Sequence, residues 1–154
     1  MNRFIALGAI VMLALIDQGT KALILRDIPF QDSIPVIPGF FNLTHLYNTG
    51  AAFGMLHDSN PFFILISTSA FIGLILMRRH FVGLTMRWGW ILLLAGILGN
   101  VTDRLARGHV VDFLDFQLGS YHWPSFNVAD SCICIAAGLF LIGSFQSPNK
   151  LNKR

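Results

Sequence analysis

The sequence predicts an all-α integral membrane protein: four transmembrane helices, a small β-rich segment between helices 1 and 2, and a loop or short helix between helices 3 and 4. Three observations predict it. Of 154 residues, 54% are hydrophobic and only 12% charged, against roughly 25% charged in soluble domains. Four apolar runs, at about 4–25, 61–77, 88–105 and 127–145, approach the roughly 17–25 residues that cross a bilayer core as a helix. The basic residues mark the ends of these runs and form no stripe with interleaved aromatics. The net charge of +3 therefore reads as membrane orientation, and no nucleic-acid partner is expected.

The first run, Phe4–Leu25, follows Arg3. Its apolar part also suits a secretory signal peptide, but Ile16 is bulky where cleavage needs a small residue, so a retained helix is predicted. Near its end Asp17 and Lys21 stand at i,i+4 and share a face as an ion pair that can snorkel to the interface. In the 26–60 segment Pro29, Pro35 and Pro38 exclude a helix. Alternation over Asn42–Asn48, with Leu43, His45 and Tyr47 on one side, predicts strands or a hairpin. Asn48-Thr49-Gly50 reads as a turn.

The second run ends at Arg78-Arg79, and Arg87 precedes the third. The third closes on Asn100, Asp103 and Arg104, whose i, i+3, i+4 spacing places them on one face. Asp103 beside Arg104 is expected to form an interfacial ion pair. Gly96 and Gly99 allow a neighbouring helix to approach closely. The fourth run opens with Asn127 and Asp130, at spacing suited to an N-cap and an N3 acid at the positive end of the helix. Cys132 and Cys134 cannot pair two residues apart on a helix and are read as small packing residues. The chain reads as one membrane-embedded domain with outer segments at about 26–60 and 106–126.

Four spans place Arg3, Arg78, Arg79, Arg87, Lys150, Lys153 and Arg154 on one side, which predicts both termini in the cytoplasm. Asp17/Lys21, Asn48, Asn100/Asp103/Arg104, Asp112 and Asn127/Asp130 then converge on the opposite boundary. A carboxylate beside hydrocarbon is costly and is a functional hypothesis by default. Asp112, in His109-Val110-Val111-Asp112-Phe113, has apolar neighbours that should raise its pKa; Asp115, nearer the middle of the second outer segment, is expected to be solvated. Two adjacent Asp side chains can share a proton, one taking a proton from attacking water and the other donating to the carbonyl oxygen or leaving amine. Asp112 and Asp130 are the candidate catalytic pair. His109 with Asp112 would give a metal only two ligands from one segment, so no metal and no cofactor is expected. The alternatives are a small proton-coupled transporter, which would need its acids at mid-membrane depth, and a non-enzymatic membrane assembly factor.

DQGTK, NTGAAFG, GNVTDR, HVVDF and FNVADS, in this order, resemble the bacterial lipoprotein signal peptidases, or signal peptidase II. The resemblance implies an aspartic endopeptidase of the bacterial inner membrane with its active site near the periplasmic surface. It implies cleavage of the signal peptide from a diacylglyceryl-modified prolipoprotein immediately before the lipidated cysteine. By motif the catalytic pair falls on Asp112 and Asp130, with Asp17, Lys21, Asn48, Asn100, Asp103, Arg104 and Asn127 in support. The implied partners are the prolipoprotein, membrane lipid and a globomycin-type inhibitor, and a monomer is expected. In family terms the 26–60 segment is a small β cradle on the membrane, and 108–125 a mobile flap.

Overall fold

The computed structural model describes residues 2–50 and 59–146. Ala51–Gly54 of NTGAAFG, together with Lys150, Lys153 and Arg154, lie outside the described residues. Helix α1 runs over Arg3–Asp27, strands β1 and β2 over Ser33–Ile37 and Phe41–Asn48, and helices α2 and α3 over Asn60–Leu76 and Leu84–Arg107. Strands β3 and β4 follow at Val110–Leu118 and Tyr121–His122, then helix α4 at Val128–Gln146. Helices α1, α3 and α4 are long and apolar enough to cross a membrane; α2 is a shorter apolar helix of 17 residues with no buried residue.

Each helix ends for a local reason. The Asn2 side chain caps α1 by accepting from the Phe4 N–H at 3.1 Å. Pro61 sits in the first turn of α2, where its missing N–H costs nothing. Gly108 closes α3 in the left-handed conformation, φ 79°, which lets β3 start at once.

The bundle packs α3 against α1, α2 and α4. Its inner half is sealed by Ala6 and Ile10 of α1 with Ile91, Leu94 and Ala95 of α3. Trp90 Nε1 donates to the Leu74 carbonyl at 2.8 Å and ties α2 to α3. At the other end Asn60 Nδ2 reaches the Arg104 carbonyl at 3.1 Å.

The strands form one antiparallel sheet, β1-β2-β3-β4. One face packs on the end of α1, where Ile24 and Ile28 meet Val111 and Phe113. The expected loop or short helix between helices 3 and 4 is therefore corrected to a nine-residue strand with a hairpin return. The reason lies in Val110–Leu118, where β-branched and aromatic residues favour extended backbone and β2 supplies the partner. Asp115 is also corrected: it is buried at 9% exposure, accepting from Asn42 Nδ2 at 2.9 Å and meeting His122 Nδ1 at 3.1 Å.

Candidate active site

The site forms where the sheet meets the helix ends, and its base is a buried ion cluster. Lys21 Nζ lies 2.7 Å from Asp17 Oδ2, 2.9 Å from Asp103 Oδ2 and 3.2 Å from Asn100 Oδ1. Asp17, Lys21 and Asp103 are all 1% exposed or less. The Asp17–Lys21 pair does not snorkel to the surface; it crosses to α3. Nor does Asp103 pair with Arg104. Its cations are Lys21 and Arg107, because residues one apart on a helix diverge while those four apart share a face.

The remaining oxygens of the cluster are used to join elements. Asp17 Oδ1 accepts from the Ala129 N–H of α4 at 2.8 Å, and Asp103 Oδ2 from the Val111 N–H of β3 at 3.1 Å. Gln18, which the sequence reading passed over, donates to Asp103 Oδ1 at 3.0 Å and to the Gly99 carbonyl at 3.1 Å. It accepts from Arg107 at 3.1 Å. The signal for Gln18 is its i,i+3 spacing to Lys21.

Gly99 makes this closeness possible. A Cβ there would lie 2.6 Å from Asp17 Oδ2 and 3.1 Å from the Ala129 Cβ. Asp17 is held by Lys21 and cannot move aside. Gly99→Ala is expected to lower the midpoint of thermal unfolding in detergent, by about 1–3 kcal/mol of overpacking. Gly138→Ala, where nothing lies within 4 Å, is the control expected to leave that midpoint unmoved.

Above the cluster stand Asp112 and Asp130. Asp112 lies opposite Leu46 in the β2–β3 register, so Asn48, two residues along β2, reaches it on the diagonal. Asn48 Nδ2 donates to Asp112 Oδ2 at 2.9 Å, while its Oδ1 accepts from the Gly50 N–H at 3.1 Å. The turn residue and the site residue are one. On α4, Asn127 Oδ1 accepts from the Asp130 N–H at 2.9 Å, and Asp130 Oδ2 from the Asn127 N–H at 3.3 Å, a reciprocal helix cap. The spare donor, Asn127 Nδ2, reaches Asp112 Oδ1 at 2.8 Å. Asn127 thus touches both carboxylates. It is placed there because Phe126 bonds to β3 at Phe113 and Leu114.

Asn100 Nδ2 donates to Asp130 Oδ1 at 2.8 Å, so Asn100 spans from Lys21 to Asp130. Burial first, and then the charge of Asp130, push the Asp112 carboxyl up to about 7. Arg104 contributes from one side: its Nη2 donates to the Gly50 carbonyl at 3.3 Å, and its guanidinium covers the Phe63 ring at 5.0 Å. His109 stacks against Tyr47 with ring centroids 3.7 Å apart. Of the nine residues expected here, eight are joined by direct hydrogen bonds or ion pairs, and Arg104 borders them.

Membrane-length helices closing over two carboxylates, held by a shared Asn beside a small sheet, define a multi-pass membrane protein with an acidic site at the end of its bundle. A family model described as Signal peptidase (SPase) II matches residues 9–146, and the chain belongs to that family. It is 45% identical over 144 residues to a lipoprotein signal peptidase of Desulforapulum autotrophicum, covering 89% of this chain and 88% of that one. It is 47% identical over 145 residues to one of Ralstonia nicotianae, covering 91% and 83%. A bacterial membrane enzyme solved at 2.3 Å superposes with a TM-score of 0.88 at 35% identity, covering 99% of this chain and 94% of that one.

Proposed function

We propose that this protein is a membrane aspartic endopeptidase that removes the signal peptide from diacylglyceryl-modified prolipoproteins, with Asp112 and Asp130 as the catalytic pair. The observation that carries the pairing is Asn127, which donates to both carboxylates at once. Buried Asp112 and half-buried Asp130, bridged by one Asn, share one proton near neutral pH. We assign the ionised role to Asp130, which sits in the first turn of α4 where the helix dipole favours a carboxylate, and the proton to Asp112; Asp130 takes a proton from the attacking water. Asp112 gives its proton to the carbonyl oxygen; on collapse Asp130 passes the proton it took from water to the leaving amine, and Asp112 recovers one from the gem-diol hydroxyl. Asn48, Asn100 and Asn127 hold the carboxylates in place; Asp17, Lys21, Asp103 and Arg104 fix the elements that carry them.

The pH profile follows from that assignment. Cleavage needs Asp112 protonated, so kcat/KM is expected to fall about tenfold per unit as pH rises above about 7. A rate that stays level to about pH 9 would remove Asp112 as the proton donor.

The substrate class fits the position of the site. A diacylglyceryl cysteine partitions into the bilayer, at about 0.8 kcal/mol per buried CH₂, and presents the bond before it at the membrane boundary where these acids lie. We place the enzyme in the bacterial inner membrane as a monomer with four spans of about 4–25, 61–77, 88–105 and 127–145. Both termini lie in the cytoplasm and the sheet on the periplasmic side, as the distribution of Arg and Lys favours. A globomycin-type cyclic peptide would occupy the same cleft. The test is release of a signal peptide by the purified protein from a lipidated precursor, compared with the same precursor lacking diacylglycerol. Cleavage of only the lipidated form is expected; equal cleavage of both would overturn the substrate assignment.

A further inference from the structure

At the end of the bundle away from the acids, a cavity of about 620 Å³ opens between α1, α2 and α3. That volume lies within the roughly 300–1,000 Å³ of small-molecule sites. Its walls are apolar, with Ile10 and Val11 of α1, Phe71 of α2 and Leu94 of α3, while Arg3, Arg78, Arg79 and Arg87 stand around its mouth. These four come from the start of α1, the turn after α2 and the start of α3.

None of the four forms an ion pair among the described residues. The sequence explains why: among the described residues, all seven acids (Asp17, Asp27, Asp32, Asp103, Asp112, Asp115 and Asp130) belong to the other end or to the segments beyond it. Long apolar walls under a rim whose charged residues are all basic are complementary to an amphiphile with an anionic head. The basic amino-terminal region of a signal peptide has the wrong sign for this rim. We infer that this cavity binds one anionic glycerophospholipid, its phosphate among the arginines and an acyl chain along the α1–α3 wall.

The test titrates the full chain in detergent micelles with dioleoyl phosphatidylglycerol and, separately, dioleoyl phosphatidylcholine, counting bound lipid by native mass spectrometry. The wild type is expected to retain one phosphatidylglycerol in preference to phosphatidylcholine. Each arginine near an anionic headgroup is worth about a factor of five, so Arg78→Gln with Arg87→Gln should weaken phosphatidylglycerol about 25-fold. Val11→Trp fills the groove without altering charge and should also lose the lipid; Leu7→Trp, on the same wall, replaces it if that variant is not monodisperse. Millimolar inorganic phosphate should not displace the lipid, since the acyl chain is part of the recognition. Equal retention of both lipids, or a preference that survives either the arginine or the groove-filling variant, would overturn the site. So would displacement by phosphate alone.

Discussion

Asp112→Asn and Asp130→Asn, made separately, are each expected to lower signal-peptide release about 10²–10⁴-fold, the range for loss of a positioned acid or base. The protein should remain folded in both. For Asp112 the expectation includes a gain that separates chemistry from structure. Its carboxyl moves from 3.8 to about 7 on folding, so between those values the folded state binds more protons than the unfolded. Wild-type stability therefore falls as pH rises through that window and is lowest above about 7. Asp112→Asn lacks this dependence. The unfolding midpoint of the variant should improve relative to wild type between about pH 5 and pH 8, by on the order of a few kcal/mol. A wild type and variant with parallel stability profiles would mean that the Asp112 carboxyl is not held in a costly environment.

Lys21→Met should be the most destabilising single change in the site. Lys21 is 0% exposed and bridges Asp17 to Asp103; its loss leaves Asp17 without a cation, while Asp103 keeps Arg107. Removing one partner of a buried ion cluster costs about 3–5 kcal/mol, because the charge left behind has no compensation. The effect reads as a large fall in the unfolding midpoint and a poor yield of monodisperse protein. Lys21→Met with Asp17→Asn removes the orphaned charge as well and should recover part of the loss. If the double variant were worse than the single one, Asp17 would be stabilising through the hydrogen bond it accepts from the Ala129 N–H rather than through charge balance.

The helices were legible because hydrocarbon imposes one simple requirement on sequence, a long apolar run, and the ends of α1, α3 and α4 fell within a few residues of expectation. The convergence of Asp17, Lys21, Asn48, Asn100, Asp103, Asp112, Asn127 and Asp130 was legible because they all fall at one end of those runs. What the sequence hid was pairing across space. Adjacency suggests Arg104 for Asp103, whereas the turn of α3 presents Arg107 to it and α1 supplies Lys21. Val110–Leu118 reads as part of a loop or short helix because its partner strand, β2, lies some sixty residues earlier and gives no local signal. Asp115 looks solvated in the sequence for the same reason, since Asn42 covers it only once that sheet has formed. At Asn127 a helix cap and a site residue looked like competing readings; one side chain performs both.

Whether Asp112 and Asp130 act as one unit is decided by a double-mutant cycle on kcat/KM. If they share a proton and a water, Asp112→Asn combined with Asp130→Asn should be within about threefold of the weaker single variant, since a unit lost once cannot be lost again. Two losses that multiply, or a single variant that cleaves at the wild-type rate, would contradict their acting as one.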